Sequence, residues 1–325
     1  LTTYPFTQHS TTNYLSGVNL YKLLSANSTY QAFSATTPIS ARFTFHENLT
    51  VYSPTTARGA IYFDTEGVDA LQQGSTVSID LTSSSTWIVG KGGDGGDGVI
   101  WDISTPTLVE HDTDPVAVLS GTGLENEFDY GKDGGPAISL SGFTYANVSN
   151  SGNIYGGAGG GGAGMLPLTS ENAQYLWPVN YGLSASSGGG GGAGIEPDGT
   201  TNSGAGAGGT KYPGAGSFVN NGTAGTQSGG GAGGIISLPS PFSATQFLVM
   251  SGADGGDLGQ AGGGNDFPDD NWPISVGSNY DGSFNAISGD WFRLDGGAIG
   301  PAVRMFGGNW STKNSDISNG EWRGI

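Results

Sequence analysis

Apolar and polar residues alternate along the chain from Ala41 onward. Phe43 and Phe45, Leu49 and Val51, then Ile61 and Phe63, then Val77, Ile79 and Leu81 stand two apart within each run, mostly with polar residues between and after them. Successive strand side chains point to opposite faces, so a period of two predicts half-buried strands. Residues 41–90 read as a short meander that ends on Trp87, Ile88 and Val89. One helical turn is expected near Gly17–Ala26, where Val18, Leu20, Leu23 and Leu24 are apolar. Strand, turn, strand is expected over Ile138–Tyr155, and shorter strands around Ile235–Leu238 and Phe247–Met250.

Several of these strands run straight into glycine. Gly90–Gly98 reads GKGGDGGDG and Gly156–Gly164 reads GGAGGGGAG; further tracts follow at Gly188–Gly194, Gly204–Gly209, Gly229–Gly234 and Gly252–Gly264. Glycine loses the most backbone entropy on ordering and weakens both helices and strands, so a single tract would read as a linker. Repeated tracts with apolar and aromatic flanks read differently. A glycine chain can adopt the extended left-handed helix with three residues per turn, and it keeps the N–H that proline lacks. Such helices can lie backbone to backbone and hydrogen-bond laterally. The tracts are therefore expected to pack as one slab from which the intervening segments leave as loops.

Composition narrows the class. Glycine fills 62 of 325 positions without a strict triplet of Gly-X-Y, which excludes collagen. Aromatic residues make up 10% of the chain, more than a disordered low-complexity sequence carries. The net charge of −18 disfavours nucleic acid as a partner, because phosphate binding needs clustered Lys and Arg. Cysteine is absent, which removes disulfides, thiol nucleophiles and thiolate metal sites. No apolar run is long enough to span a bilayer, so no membrane insertion is expected. The first residue is not Met, and a processed or excised product is expected.

Five segments carry a resemblance. They are WIVGKGGDGGDG at Trp87–Gly98, GKDGGPAI at Gly131–Ile138, NSGNIYGGAGGGGAG at Asn150–Gly164, VMSGADGGDLGQAGGG at Val249–Gly264 and SNGEWRGI at Ser318–Ile325. Their order and their strand-into-tract junctions resemble the glycine-rich receptor-recognition adhesins at the distal end of phage long tail fibres, of the T-even type, and related central-fibre tips. The resemblance implies an all-β and irregular fold: a sandwich of polyglycine II helices with long variable loops that contact a host receptor. It implies a virion protein at the fibre tip, with a host outer-surface protein or polysaccharide and a tail fibre or baseplate protein as partners. The expected division is an attachment segment at 1–58, assigned by position alone, a β meander at 59–89, the sandwich at 90–300 and a closing strand segment at 301–325. Receptor-binding loops are expected at 99–130, 165–187 and 265–292.

Large side chains concentrate in those three excursions. The expected receptor contacts are Trp101 in the first, Tyr175, Trp177 and Tyr181 in the second, and Trp272, Tyr280, Phe284 and Trp291 in the third. Tyr and Trp offer large contact area with a polar handle and little rotamer entropy to lose. The competing reading makes them a cover for a slab that has little apolar surface of its own. Asp94 and Asp97, like Asp254 and Asp257, sit three residues apart and share one edge of a three-fold helix, where solvated carboxylates are expected. The spacing and terminal Glu of a calcium loop are missing, and no metal or cofactor is assigned.

Catalysis finds no pattern. His9, His46 and His111 lie near no nucleophile elbow and form no HExxH pair. The chain is read as a non-enzymatic adhesin, against two alternatives: a non-viral structural or ice-binding glycine-rich protein, and a tail depolymerase.

Overall fold

The chain runs in four circuits, and each gives three strands to the framework before the next begins. The computed structural model describes residues 13–26, 37–64, 71–98, 107–111, 114–118, 130–143, 145–164, 187–195, 204–211, 219–227, 229–237, 251–266, 293–294, 296–306 and 309–313. The first circuit holds β1 (Asn13–Ser16), β2 (Val18–Asn19), the short helix α1 (Leu20–Ser25) and β3 (Ser40–Phe45). The second holds β4 (Leu49–Tyr52), β5 (Ile61–Tyr62) and β6 (Thr76–Leu81). The third starts with β7 (Trp87–Val89), makes an excursion containing the antiparallel pair β8 (Thr107–His111) and β9 (Asp114–Val118), and resumes with β10 (Ile138–Ser141) and β11 (Tyr145–Asn150). The fourth starts with β12 (Asn153–Tyr155), passes through β13 (Asn265–Asp266) and β14 (Arg293–Leu294), and ends with β15 (Val303–Phe306) and β16 (Asn309–Lys313).

Each circuit gives one strand to each of three four-stranded sheets: β1-β4-β7-β12, β2-β5-β10-β15 and β3-β6-β11-β16. Every pairing within them is parallel. This is a three-sided parallel solenoid. Its interior is built by stacking like on like: Leu15, Val51, Ile88 and Ile154 on the first side, Val18, Ile61, Ile138 and Val303 on the second. Phe43, Ile79 and Val148 stack on the third. These ladders converge on one core with Leu20, Phe63 and Phe143, and the Phe63 and Phe143 rings meet edge to face at 4.5 Å. Each Val or Ile so buried stabilises by roughly 1.5–3 kcal/mol.

The meander expected over 41–90 is not what forms. The alternation identifies which side chains face inward, and it does so correctly for Val77, Ile79 and Leu81. It carries no information about the partner, and each strand pairs with its counterpart one circuit away, not with its sequence neighbour. The expected boundary at 58/59 accordingly falls inside the second circuit, between β4 and β5. The expected helical turn is present as α1, capped by the Asn19 side chain, which accepts the Tyr21 N–H at 3.0 Å.

One corner of the solenoid lengthens with every circuit. Between the first and second sheets the chain spends Gly17 in circuit one, 53–60 in circuit two, 90–137 in circuit three and 156–302 in circuit four. Gly17 makes the tight version with φ of +60°, a region that favours glycine. The glycine tracts all belong to the last two, so the slab is an outgrowth of a single corner. It rests on the outer face of the first sheet, where Ile195 packs with Tyr52 and Val89, and Trp87, Tyr155 and Leu258 join from the side.

Candidate functional site

The tracts bond to one another with a period of three. Gly90, Gly93 and Gly96 donate their N–H groups to Tyr155, Ala158 and Gly161, while Gly92, Gly95 and Gly98 donate to Gly204, Ala207 and Thr210. One tract thus addresses different neighbours with different thirds of its residues. Glycine is required here for space. A Cβ on Gly93, Gly131, Gly156 or Gly160 would lie far closer than 3.0 Å to a neighbouring backbone atom. Alanine does occur in the tracts, buried at Ala158, Ala163, Ala193 and Ala205 and exposed at Ala207 and Ala261.

The same bonds give each tract a direction. Residues 90–98 run parallel to 155–161, because donor and acceptor numbers rise together. They run antiparallel to 187–195, where Gly189 donates to Gly96 and Gly192 to Gly93. Gly157 donating to Gly135 and Gly160 to Lys132 sets 131–136 antiparallel to 156–164. Following these relations through the array, successive tracts alternate up and down.

Alternation decides which tract ends are neighbours. At one end the array joins the solenoid, where Gly90 donates to Tyr155 and Ala137 to Pro301. At the other, Gly98 donates to Thr210, Gly164 to Ser187, and Asn220 to Ile235, while Gly252 donates to the Ser187 hydroxyl and Val219 bridges Ile236. The chain leaves the described residues from this second end after Gly98, Gly164, Lys211, Ser237 and Asp266, and returns at Tyr130, Ser187, Val219, Ser251 and Arg293.

The expected contact residues Trp101, Tyr175, Trp177, Tyr181, Trp272, Tyr280, Phe284 and Trp291 lie outside the described residues, in the segments that start and finish at this end. Two further segments, 212–218 and 238–250, have the same origin; the second includes the strand expected at Phe247–Met250, which lies outside the described residues. Only the tract directions reveal that both begin at this end. Among the described residues, no group of three or more His, Cys, Asp or Glu could hold a metal ion. No described helix is long and apolar enough to cross a membrane.

The aspartates within the tracts are at the array edges, as their spacing predicts, but they are bonded as well as exposed. Asp94 and Asp97 accept the N–H groups of Ala207 and Thr210; Asp254 and Asp257 accept those of Gly233 and Gly230; Asp133 accepts that of Ala298.

The phage tail fibre adhesin Gp38 family matches residues 6–324, almost the whole chain. The chain belongs to that family. It is a receptor-binding adhesin of a phage tail fibre and a component of the virion, and the family is one of adhesins, not a class of enzymes. Among solved structures, the chain is similar to the gp37-gp38 adhesin tip complex of the bacteriophage S16 long tail fibre. Identity is 19%, the match covers 95% of this adhesin and 81% of that chain, and the TM-score is 0.40. No curated protein matches.

Proposed function

We propose that the adhesin's tracts are polyglycine II helices packed as a sandwich, and that the end remote from the solenoid binds a host surface protein or polysaccharide. The helix reading is supported by the three-residue repeat of lateral bonds. It is supported also by the backbone: among the described tract glycines, only Gly259 has φ in the positive range.

One observation carries the receptor reading. Tract directions alternate, so the segments 99–130, 165–187 and 265–292, together with 212–218 and 238–250, begin and end at the same face. Their aromatic residues Trp101, Tyr175, Trp177, Tyr181, Trp272, Tyr280, Phe284 and Trp291 are the proposed contacts. Binding is non-covalent, with desolvated Trp and Tyr as anchors. Along the stacking direction of the solenoid, among the described residues no strand pairs with the outer edges of β1, β2 or β3. Open strand edges accept further strands, and we assign this first circuit as the attachment face for a tail fibre or baseplate protein.

The test is competition. Purified adhesin should bind host cells saturably and block adsorption of the phage, and soluble sugar should not be released from host polysaccharide. Absence of binding to any host on which the phage grows would overturn the reading; sugar release would favour the depolymerase alternative.

A further inference from the structure

The lattice of backbone hydrogen bonds ends at certain tracts, and side chains close it there. In 90–98 every third residue, Lys91, Asp94 and Asp97, faces outward. All three reach sideways onto 204–211. Lys91 Nζ donates to the Ala205 carbonyl, Asp94 Oδ1 accepts the Ala207 N–H at 2.8 Å, and Asp97 Oδ1 accepts the Thr210 N–H at 2.6 Å. The row supplies a donor where the backbone offers a carbonyl and acceptors where it offers N–H groups.

A second edge repeats the device with other residues. Gly230 and Gly233 donate outward to Asp257 at 3.0 Å and Asp254 at 2.8 Å. On their other flank Gly229 and Ala232 donate to the hydroxyls of Thr226 and Thr223, at 3.1 and 2.7 Å. Inside the array, equivalent N–H groups donate to the carbonyl of an adjoining tract, as Gly206 does to Gly192 and Gly231 to Gly191. The side chains stand where one more glycine tract would otherwise lie.

We propose that these rows are edge stops, which prevent the glycine lattice of one adhesin from continuing into that of a second copy. The second copy is the fitting occupant because it carries the same edge, with donors and acceptors at the same three-residue spacing. Two such edges are self-complementary when run antiparallel, the arrangement a two-fold dimer requires. Sheet proteins face the same hazard at unpaired strand edges and blunt them with charged side chains. Here the carboxylates both satisfy the edge N–H groups and make facing edges repel, in a chain of net charge −18.

The experiment uses the full chain and its oligomeric state. The double variant Asp94→Gly/Asp97→Gly keeps a backbone suited to the lattice but uncovers Ala207 and Thr210. Sedimentation velocity over a range of concentration should show wild type at a single mass and the double glycine variant shifting to twice that mass. Asp94→Asn/Asp97→Asn keeps an acceptor oxygen at each position and should remain at the wild-type mass. A folded double glycine variant that stays monomeric overturns the proposal. So does equal association of both variants, since repulsion alone would then be the barrier. Should the double glycine variant not fold, Asp257→Gly on the second edge is read by the same criteria. Amide exchange gives an independent reading: Ala207 and Thr210 should be protected in wild type, and fast exchange of both would overturn the closure.

Discussion

Asp97 holds Thr210 twice, because one carboxylate oxygen accepts both the backbone N–H, at 2.6 Å, and the hydroxyl, at 2.8 Å. The two residues are far apart in sequence and occupy neighbouring tracts at the end where the chain leaves for its long segments. Asp97→Ala removes both bonds and leaves the Thr210 N–H to water alone. The expected loss is about 1 kcal/mol, read as a lower melting temperature, and Asp97→Asn should recover most of it. An alanine variant that melts with wild type would mean the contact is not formed in solution.

Gly160 sits between three tracts, and any Cβ there runs into the backbone of Asp94 and Gly95. Gly160→Val should destabilise at the upper end of the ~1–3 kcal/mol typical of overpacking, because no neighbouring side chain can repack to make room. Thermal unfolding checks this directly. Gly142 separates the two causes: a Cβ there meets nothing, and Gly142→Ala reports only the backbone strain of its φ of +78°.

Removing residues 1–58 deletes β1 to β4, and with them Leu20, Phe45 and Val51 from the solenoid core. The inner faces of β5, β6 and β7 would then meet water. The truncated chain is expected to be insoluble or to lack a cooperative melt. Circular dichroism and a melting curve of a chain starting at Gly59 decide the matter.

Trp177→Ala and Trp272→Ala are each expected to weaken host-cell adsorption at least tenfold with an unchanged melting curve. Truncating an interface aromatic commonly costs about 2 kcal/mol, roughly thirtyfold in affinity. If these residues cover the slab instead, stability falls first and adsorption follows only as folded protein is lost. Measuring both properties on the same variants separates the two outcomes.

Much of this protein is local and therefore legible in its residues. Alternation at Val77, Ile79 and Leu81 marks strands because the side-chain period of a strand is two. The three-residue spacing of Asp94 with Asp97, and of Asp254 with Asp257, marks an edge because three residues complete one turn of the extended glycine helix. What no local pattern specifies is the identity of a partner. Ile88 stacks between Val51 and Ile154, one circuit away on either side, and alternation would serve an antiparallel neighbour equally well. The glycine tracts are more degenerate still: without side chains, one tract is nearly interchangeable with the next. Only the folded arrangement decided that Gly93 bonds to Ala158, that tract directions alternate, and that Asp97 answers Thr210. The deciding restraints are the one solenoid corner from which the tracts at Gly90 and Gly156 leave, and the edge side chains, which set where the lattice stops.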